Sequence, residues 1–225
     1  VPSRLVAADL ASDGIGAERV RVVVSGADHL PPPDPAGAGA LLARLGVPAE
    51  FVLSVGTLEP RKNLDRLVTA YARIRHELPE PWPLVVVGPA GWGPGPATPA
   101  PPEGVVLAGA VDAAVLAALY TRARAFAFVP LTEGYGLPPL EAMRVGIPAV
   151  VSRGVPSVDD LGAPGPAPAR LVDPLDVDDI AAGLVAVLTD DAVRADLATR
   201  GAAHARPRTW RDAARVHVDL WRELA

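Results

Sequence analysis

Two stretches of the chain set charged side chains beside glycine and proline in a way that suits a phosphorylated ligand. The first reads Ser54-Val55-Gly56-Thr57-Leu58-Glu59-Pro60-Arg61-Lys62-Asn63-Leu64. An apolar run closes at Val55, Gly56 allows close backbone approach, and two cations follow at the entrance to a helical pattern. Arg61 and Lys62 beside free helix N–H groups make an anion site, and neighbours in a turn can both reach one diphosphate although they would diverge within a helix. A solvated basic pair is the plainer reading of this stretch alone. Composition favours the sharper one. Of 21 basic residues 20 are Arg; the single Lys, Lys62, stands beside the single Asn, Asn63, and Gln is absent. A chain so biased would carry Arg wherever a surface cation sufficed, so Lys62 points to a demand for a compact ammonium.

The second stretch is Glu133-Gly134-Tyr135-Gly136-Leu137-Pro138-Pro139-Leu140-Glu141, directly after an apolar run ending at Val129 and Pro130. Gly134 and Gly136 permit unusual backbone angles, and Pro138 or Pro139 suits a first helical turn, which turns loop N–H groups toward a ligand. Glu133 then lies in a loop and Glu141 on a helix. That arrangement suits one carboxylate near a reacting group and another accepting two hydroxyls of a ribose. The plainer alternative is a surface Glu141 and an ordinary turn.

The elements that would position these residues follow from the apolar periodicity. Apolar runs at Phe51 to Val55, Leu84 to Gly88, Val105 to Leu107, Ala125 to Val129 and Ile147 to Val151 read as strands. Helical patterns run from Leu64 to Leu78, Asp112 to Arg122 and Pro138 to Val145. Near-continuous apolar strands joined by helices predict an α/β domain with a doubly wound parallel sheet and helices on both faces. Beyond Leu171 the pattern becomes helical, with Asp176 to Leu188, Asp191 to Ala203 and Thr209 to Leu224; the last is amphipathic and its Trp210, Val216, Leu220, Trp221 and Leu224 need a partner surface. Before residue 31 a short helix (Ser3 to Leu10) and a strand (Val20 to Ser25) are expected. Pro31, Pro32, Pro33 and Pro35 open an extended linker over residues 31–48. The Pro- and Gly-rich stretch from Pro89 to Pro102 reads as a mobile loop.

The 225 residues are half hydrophobic and 21% charged, which excludes a disordered chain, while 26 Pro and 21 Gly announce long loops. No Cys is present, so disulfides, thiolate metal sites and Cys nucleophiles are excluded together. A net charge of −5 argues against a general nucleic-acid binder. No apolar run is long enough to span a membrane and no basic segment leads into an apolar one at the start, so a cytoplasmic setting fits. The chain begins with Val1 and its lone Met is Met143, which suggests a fragment of a longer chain or an isolated domain. Asp176-Val177-Asp178 imitates a metal-binding D-x-D but opens a helix, where Asp is favoured as a cap. Gly91-Trp92-Gly93-Pro94-Gly95 imitates a dinucleotide fingerprint that its proline spoils. Asp159 and Asp160 read as helix caps, and His29, His76, His204 and His217 read as surface or packing residues. No metal site is expected.

Taken together, "SVGTLEPRKNLDRLVTAY", "GAVDAAVLAALYTRARAFAFVPLTEGYGLPPLEAM" with its Glu-x7-Glu, "GIPAVVS" and "LVDPLDVDDIAAGL" resemble, in order, the carboxyl-terminal donor-binding domain of the retaining GT-B glycosyltransferases of family 4 (glycosyl transferases group 1). The resemblance implies a Rossmann-like donor domain over residues 49–225, preceded by a remnant of the acceptor-binding domain over residues 1–30. It implies that Arg61 and Lys62 bind the diphosphate of a nucleotide diphosphate sugar, with Gly56 and Thr57 beside it. It also implies that Glu141 binds the nucleotide ribose, that Glu133 faces the sugar, and that the backbone of Gly134, Tyr135, Gly136 and Leu137 contacts the sugar and distal phosphate. Ala110 and Val111 would lie against the base. Many relatives carry Arg where Thr57 stands, which leaves phosphate binding to Arg61 and Lys62. The implied partners are the nucleotide-sugar donor, a sugar, lipid or small-molecule acceptor, and the amino-terminal domain, with peripheral membrane contact left open; no cofactor or metal is implied. A non-catalytic nucleotide-binding or regulatory module and a nucleotide-sugar epimerase of the same fold are the competing readings.

Overall fold

The apolar runs pair side by side. In the computed structural model, which describes residues 1–91, 101–159 and 165–224, the strands are β1 (Val52–Val55), β2 (Leu84–Val87), β3 (Val105–Gly109), β4 (Ala125–Phe128), β5 (Ala149–Ser152) and β6 (Arg170–Val172). They form one sheet in the order β3-β2-β1-β4-β5-β6, and every pairing is parallel. The helices are α1 (Arg4–Ser12), α2 (Pro35–Arg44), α3 (Leu64–Ile74), α4 (Ala113–Arg122), α5 (Leu137–Arg144), α6 (Val177–Thr189), α7 (Asp191–Ala205) and α8 (Trp210–Leu224).

Alternate strand residues bury into opposite layers. Leu53, Val85, Phe126 and Val151 pack with Leu42 of α2, Leu119 of α4 and Leu140 of α5. Val52, Leu84, Ala127 and Val150 pack with Leu67 and Tyr71 of α3 and with Ile180 and Leu184 of α6. Burial on both faces is why these strands read as unbroken apolar runs, and each large side chain so placed contributes roughly 1.5–3 kcal/mol. The predicted doubly wound, Rossmann-like class is therefore the observed one. The strand order reverses between β1 and β4, and in such sheets the crevice beyond the carboxyl ends of those two strands is where a ligand fits.

Four sequence expectations need correction. Residues 31–48 are not extended throughout: Asp34 caps α2 by accepting from the Gly37 N–H at 2.9 Å, Pro35 occupies the first turn, and Ala38, Leu41 and Leu42 are buried. The prolines that suggested a linker are a helix-start signal. Val20 to Ser25 forms no strand: Val22 and Val24 stay exposed, and the segment's backbone bonds to nearby residues rather than to a strand, the Val20 N–H donating to the Ala17 carbonyl at 3.2 Å and the Val23 N–H to the Val1 carbonyl at 2.9 Å. The strand β6 escaped the sequence because it is three residues long and opens on the exposed Arg170. Finally, α8 buries only Ala213, and Val216, Trp221 and Leu224 remain exposed. The segment Pro89 to Pro102 lies largely outside the described residues, as does all but Gly91 of the fingerprint imitation, and Asp160 with it.

Residues before α2 are fastened to the sheet's carboxyl end. Ser3 caps α1 through its Oγ, which accepts from the Val6 N–H at 3.2 Å and donates to the Gly134 carbonyl at 2.6 Å. The Tyr135 hydroxyl donates to the Ser25 carbonyl at 3.1 Å, and the Ala27 N–H donates to the Arg208 carbonyl at 3.1 Å.

Candidate functional site

After β1 the chain turns through Gly56 to Glu59 into a 3-10 turn over Pro60–Lys62, and Asn63 then sits in the left-handed region at φ 57° before α3 begins. Asn tolerates that conformation better than other side-chain-bearing residues. Its carboxamide is buried and donates to the Val129 carbonyl at 2.9 Å and the Pro174 carbonyl at 2.7 Å, while its Oδ1 accepts from Arg66 at 2.9 Å. One side chain thus ties the turn to the end of β4 and to the entrance of α6. The Leu131 N–H, donating to the Arg61 carbonyl at 2.8 Å, adds a second tie. The close backbone approach expected at Gly56 is demanded of its neighbour: a Cβ on Gly88 would lie 2.0 Å from the Gly56 carbonyl oxygen, whereas one on Gly56 meets only ordinary contacts with the Lys62 stem.

The turn delivers both cations to Glu133. Arg61 reaches Glu133 Oε1 at 2.7 Å and Glu59 Oε1 at 2.6 Å, and Lys62 Nζ forms an ion pair with the same Glu133 oxygen. Lys62 is 15% exposed against 42% for Arg61, and its ammonium stands 5.0 Å from the centre of the Phe128 ring. It lines a small cavity with Gly56, Thr57 and Val129 at the β1 and β4 ends, so the two cations sit at the strand reversal with an acidic partner in their grasp.

The loop after Glu133 spends its carbonyls on the protein. Those of Gly134, Tyr135 and Gly136 accept from the Ser3 hydroxyl, the Ser157 N–H and the Ser157 hydroxyl respectively. Gly136, at φ 95°, precedes α5, and a Cβ there would also meet Val155 at 2.6 Å. Of the two glycines expected to need unusual angles, Gly136 alone takes a positive φ. Leu137 opens the helix, with Pro in its first turn and the helix amino end toward the crevice.

Glu141, expected from sequence to meet a ribose, is buried in the side of α5 with two partners. Tyr120 of α4 donates to its Oε2 at 2.8 Å, and His29 Nε2 lies 3.2 Å from its Oε1. Burial pushes the Glu141 carboxyl above its usual range, while the Tyr120 hydrogen bond and the His29 ring pull the other way. The Tyr120 hydroxyl is pushed well up, first by burial and then by the Glu141 charge. A carboxyl whose folded value is raised favours folding at pH below its unfolded value, and that contribution is lost as pH rises through the folded value. Above its unfolded value the carboxyl therefore costs stability. We expect Glu141→Gln, which keeps partners for Tyr120 and His29, to raise the thermal midpoint by ~2–4 °C near pH 8 and to lose that advantage near pH 4. Melting curves at the two pH values check this; a variant that melts lower at both would refute it.

The remaining expectations divide. Ala110 and Val111 line a separate open cavity of about 350 Å³ with Gly37, Leu41 and Arg44, so they are not brought into the Lys62 cavity. Asp176 caps α6, accepting from the Asp178 and Asp179 N–H groups, and Asp178 pairs with Arg73. Among the described residues no cluster of three or more His, Asp or Glu could hold a metal ion, and no helix is long and apolar enough to cross a membrane. Asp159 holds a turn, accepting from the Gly154 N–H at 2.8 Å, rather than capping a helix. Asn63, Tyr120 and His29 were missed as site residues; the only sequence signal was that Asn63 is the chain's single Asn.

A 3-2-1-4-5-6 parallel sheet with two cations in the turn at its reversal point defines a Rossmann-like domain. Residues 45–204 match the family described as Glycosyl transferases group 1, and the chain belongs to it. It is 32% identical over 179 residues to the O-antigen chain mannosyltransferase B of Escherichia coli, covering 77% of this chain and 46% of that protein. It is also 32% identical over 238 residues to a D-inositol 3-phosphate glycosyltransferase of Kineococcus radiotolerans, covering 93% and 53%. The chain thus spans about half the length of these relatives. Among solved structures it resembles sucrose-phosphate synthase from Thermosynechococcus elongatus (TM-score 0.76, 23% identity, 100% of this chain and 57% of that one). It likewise resembles Anabaena HepE in complex with UDP and glucose (TM-score 0.77, 20% identity, 100% and 62%). The fold is that of GT-B glycosyltransferase structures.

Proposed function

We propose that the chain is the donor-binding half of a retaining GT-B glycosyltransferase of family 4. It binds a nucleotide diphosphate sugar and stabilises the departing nucleoside diphosphate while an acceptor is held by a partner domain. The observation that carries this reading is the convergence of Arg61 and Lys62 on Glu133 at the strand reversal, in the loop that leads into α5. The family membership, the mannosyltransferase names of relatives and the UDP bound to HepE support it. Departure of a nucleoside diphosphate develops negative charge, and fixed cations and N–H donors stabilise that charge more in the transition state than in the ground state. With Arg61 and Lys62 supplying the positive charge, the reaction requires no metal. Glu133 releases the cations to the diphosphate and faces the sugar, and Glu141 accepts from the ribose. Retention of configuration comes from the family resemblance.

Calorimetry with UDP, GDP and ADP, with and without chelator, tests the proposal. One nucleotide should bind, unaffected by chelator, and the chain alone should turn over no donor because the acceptor wall is supplied by the partner domain. No heat with any of the three counts against a donor site. Binding abolished by chelator would overturn the metal-free reading and return Asp176 and Asp178 to consideration.

A further inference from the structure

His29, which sequence reading assigns to surface or packing, stands between Trp210 and Glu141, hydrogen-bonded to the first and within ion-pair distance of the second. The Trp210 indole N–H donates to His29 Nδ1 at 3.2 Å, and the two rings meet edge to face at 6.1 Å between centres. The neighbouring Asp28 fastens the same tryptophan by its backbone, its Oδ1 accepting from the Trp210 N–H at 2.7 Å. An indole N–H can only donate, so His29 Nδ1 is the acceptor and the ring proton sits on Nε2. Nε2 faces Glu141 Oε1 at 3.2 Å, where a donor is what a carboxylate needs. The tautomer is thus dictated from one side of the ring and used on the other.

A carboxylate offers about four acceptor positions, two on each oxygen. Tyr120 occupies one on Oε2, and His29 Nε2 faces Oε1 from 3.2 Å. One position on each oxygen is left, which is the complement of two adjacent hydroxyls. Two donors on opposite oxygens also fix rotation of the carboxylate plane, which Tyr120 alone would leave free. We propose that His29, oriented by Trp210, is a positioning residue that holds Glu141 in the plane a ribose diol requires, so that discrimination between ribonucleotides and nucleotides lacking those hydroxyls depends on His29. This rests on the reading of Glu141 as the ribose carboxylate.

The test compares UDP and GDP with their 2′,3′-dideoxy forms by calorimetry on the parent, His29→Ala, His29→Gln and Trp210→Phe, with melting curves to confirm folding. Hydrogen bonds to a charged group predict a parent preference for the ribose form of roughly tenfold to a hundredfold. His29→Ala should erase most of that preference, chiefly by weakening the ribose form. His29→Gln should restore it, because an amide N–H can reach the same Glu141 oxygen. Trp210→Phe, which keeps a ring but loses the donor, should fall between. A parent without preference overturns the ribose reading beneath the proposal. A preference retained in His29→Ala overturns the proposal alone and leaves the ribose reading standing. Equal losses in His29→Gln and His29→Ala, which would mark the ring as mere packing, also overturn it, and an unchanged preference in Trp210→Phe removes the orienting role of Trp210.

Discussion

Replacing Lys62 by Ala should lower kcat/KM for sugar transfer by about two orders of magnitude in the enzyme carrying both halves, the worth of one preorganised charge of ~3 kcal/mol at a developing anion. The structure adds a sharper expectation. The Lys62 stem runs past Gly56, its ammonium approaches the Phe128 ring, and only 15% of the side chain is exposed. A planar guanidinium is broader than an ammonium and carries its charge differently. Lys62→Arg should therefore stay at least tenfold below the parent, although every other basic residue of the chain is Arg. Steady-state kinetics on the two variants decide it. An Ala variant within threefold of the parent would remove the phosphate role, and an Arg variant with full activity would remove the argument from size.

The largest effect on stability is expected at Asn63. In Asn63→Asp the two donated hydrogen bonds to the Val129 and Pro174 carbonyls are replaced by a carboxylate oxygen facing carbonyl oxygens in a buried place. Arg66, already bonded to the other oxygen, recovers only part of the loss. A net cost of ~3–5 kcal/mol follows from leaving buried polar groups unmatched beside a buried charge. Asn63→Gly keeps the left-handed turn and loses the amide bonds alone, so it should cost about 2 kcal/mol. Urea unfolding should rank the parent above Gly and Gly above Asp. A Gly variant less stable than the Asp variant would show that the Arg66 contact, which Asp keeps, outweighs the clash of carboxylate with carbonyl oxygens.

Lys62 and Asn63 also show where sequence reading reaches its limit. Arg61, Lys62, Glu133 and Glu141 were legible because residue type and local spacing carry their chemistry, and the sheet was legible because two-sided burial writes each strand as an apolar run. What was not legible depends on distant contacts. The Asn63 side chain meets residues 66 and 111 positions away, and Tyr120 meets Glu141 across 21. His29 looked ordinary because nothing near it in sequence contains the tryptophan or the carboxylate that give it a task. Val20 to Ser25 failed in the opposite direction: its composition is that of a strand, but strand formation needs a neighbouring strand, and this segment's backbone bonds to Ala17 and Val1 instead.

The ion pairs of Glu133 with Arg61 and Lys62 make the crevice resemble an ion exchanger loaded with its own counter-ion. An arriving anion meets no bare positive charge; it must displace a tethered carboxylate whose local concentration is high. A ligand with a single weak contact loses that competition, whereas one that engages both cations and the α5 amino end together can win it. Exchange of one anion for another also alters the net charge of the crevice less than simple capture would, so occupancy should vary less steeply with ionic strength than the two exposed cations of the bare sequence would suggest.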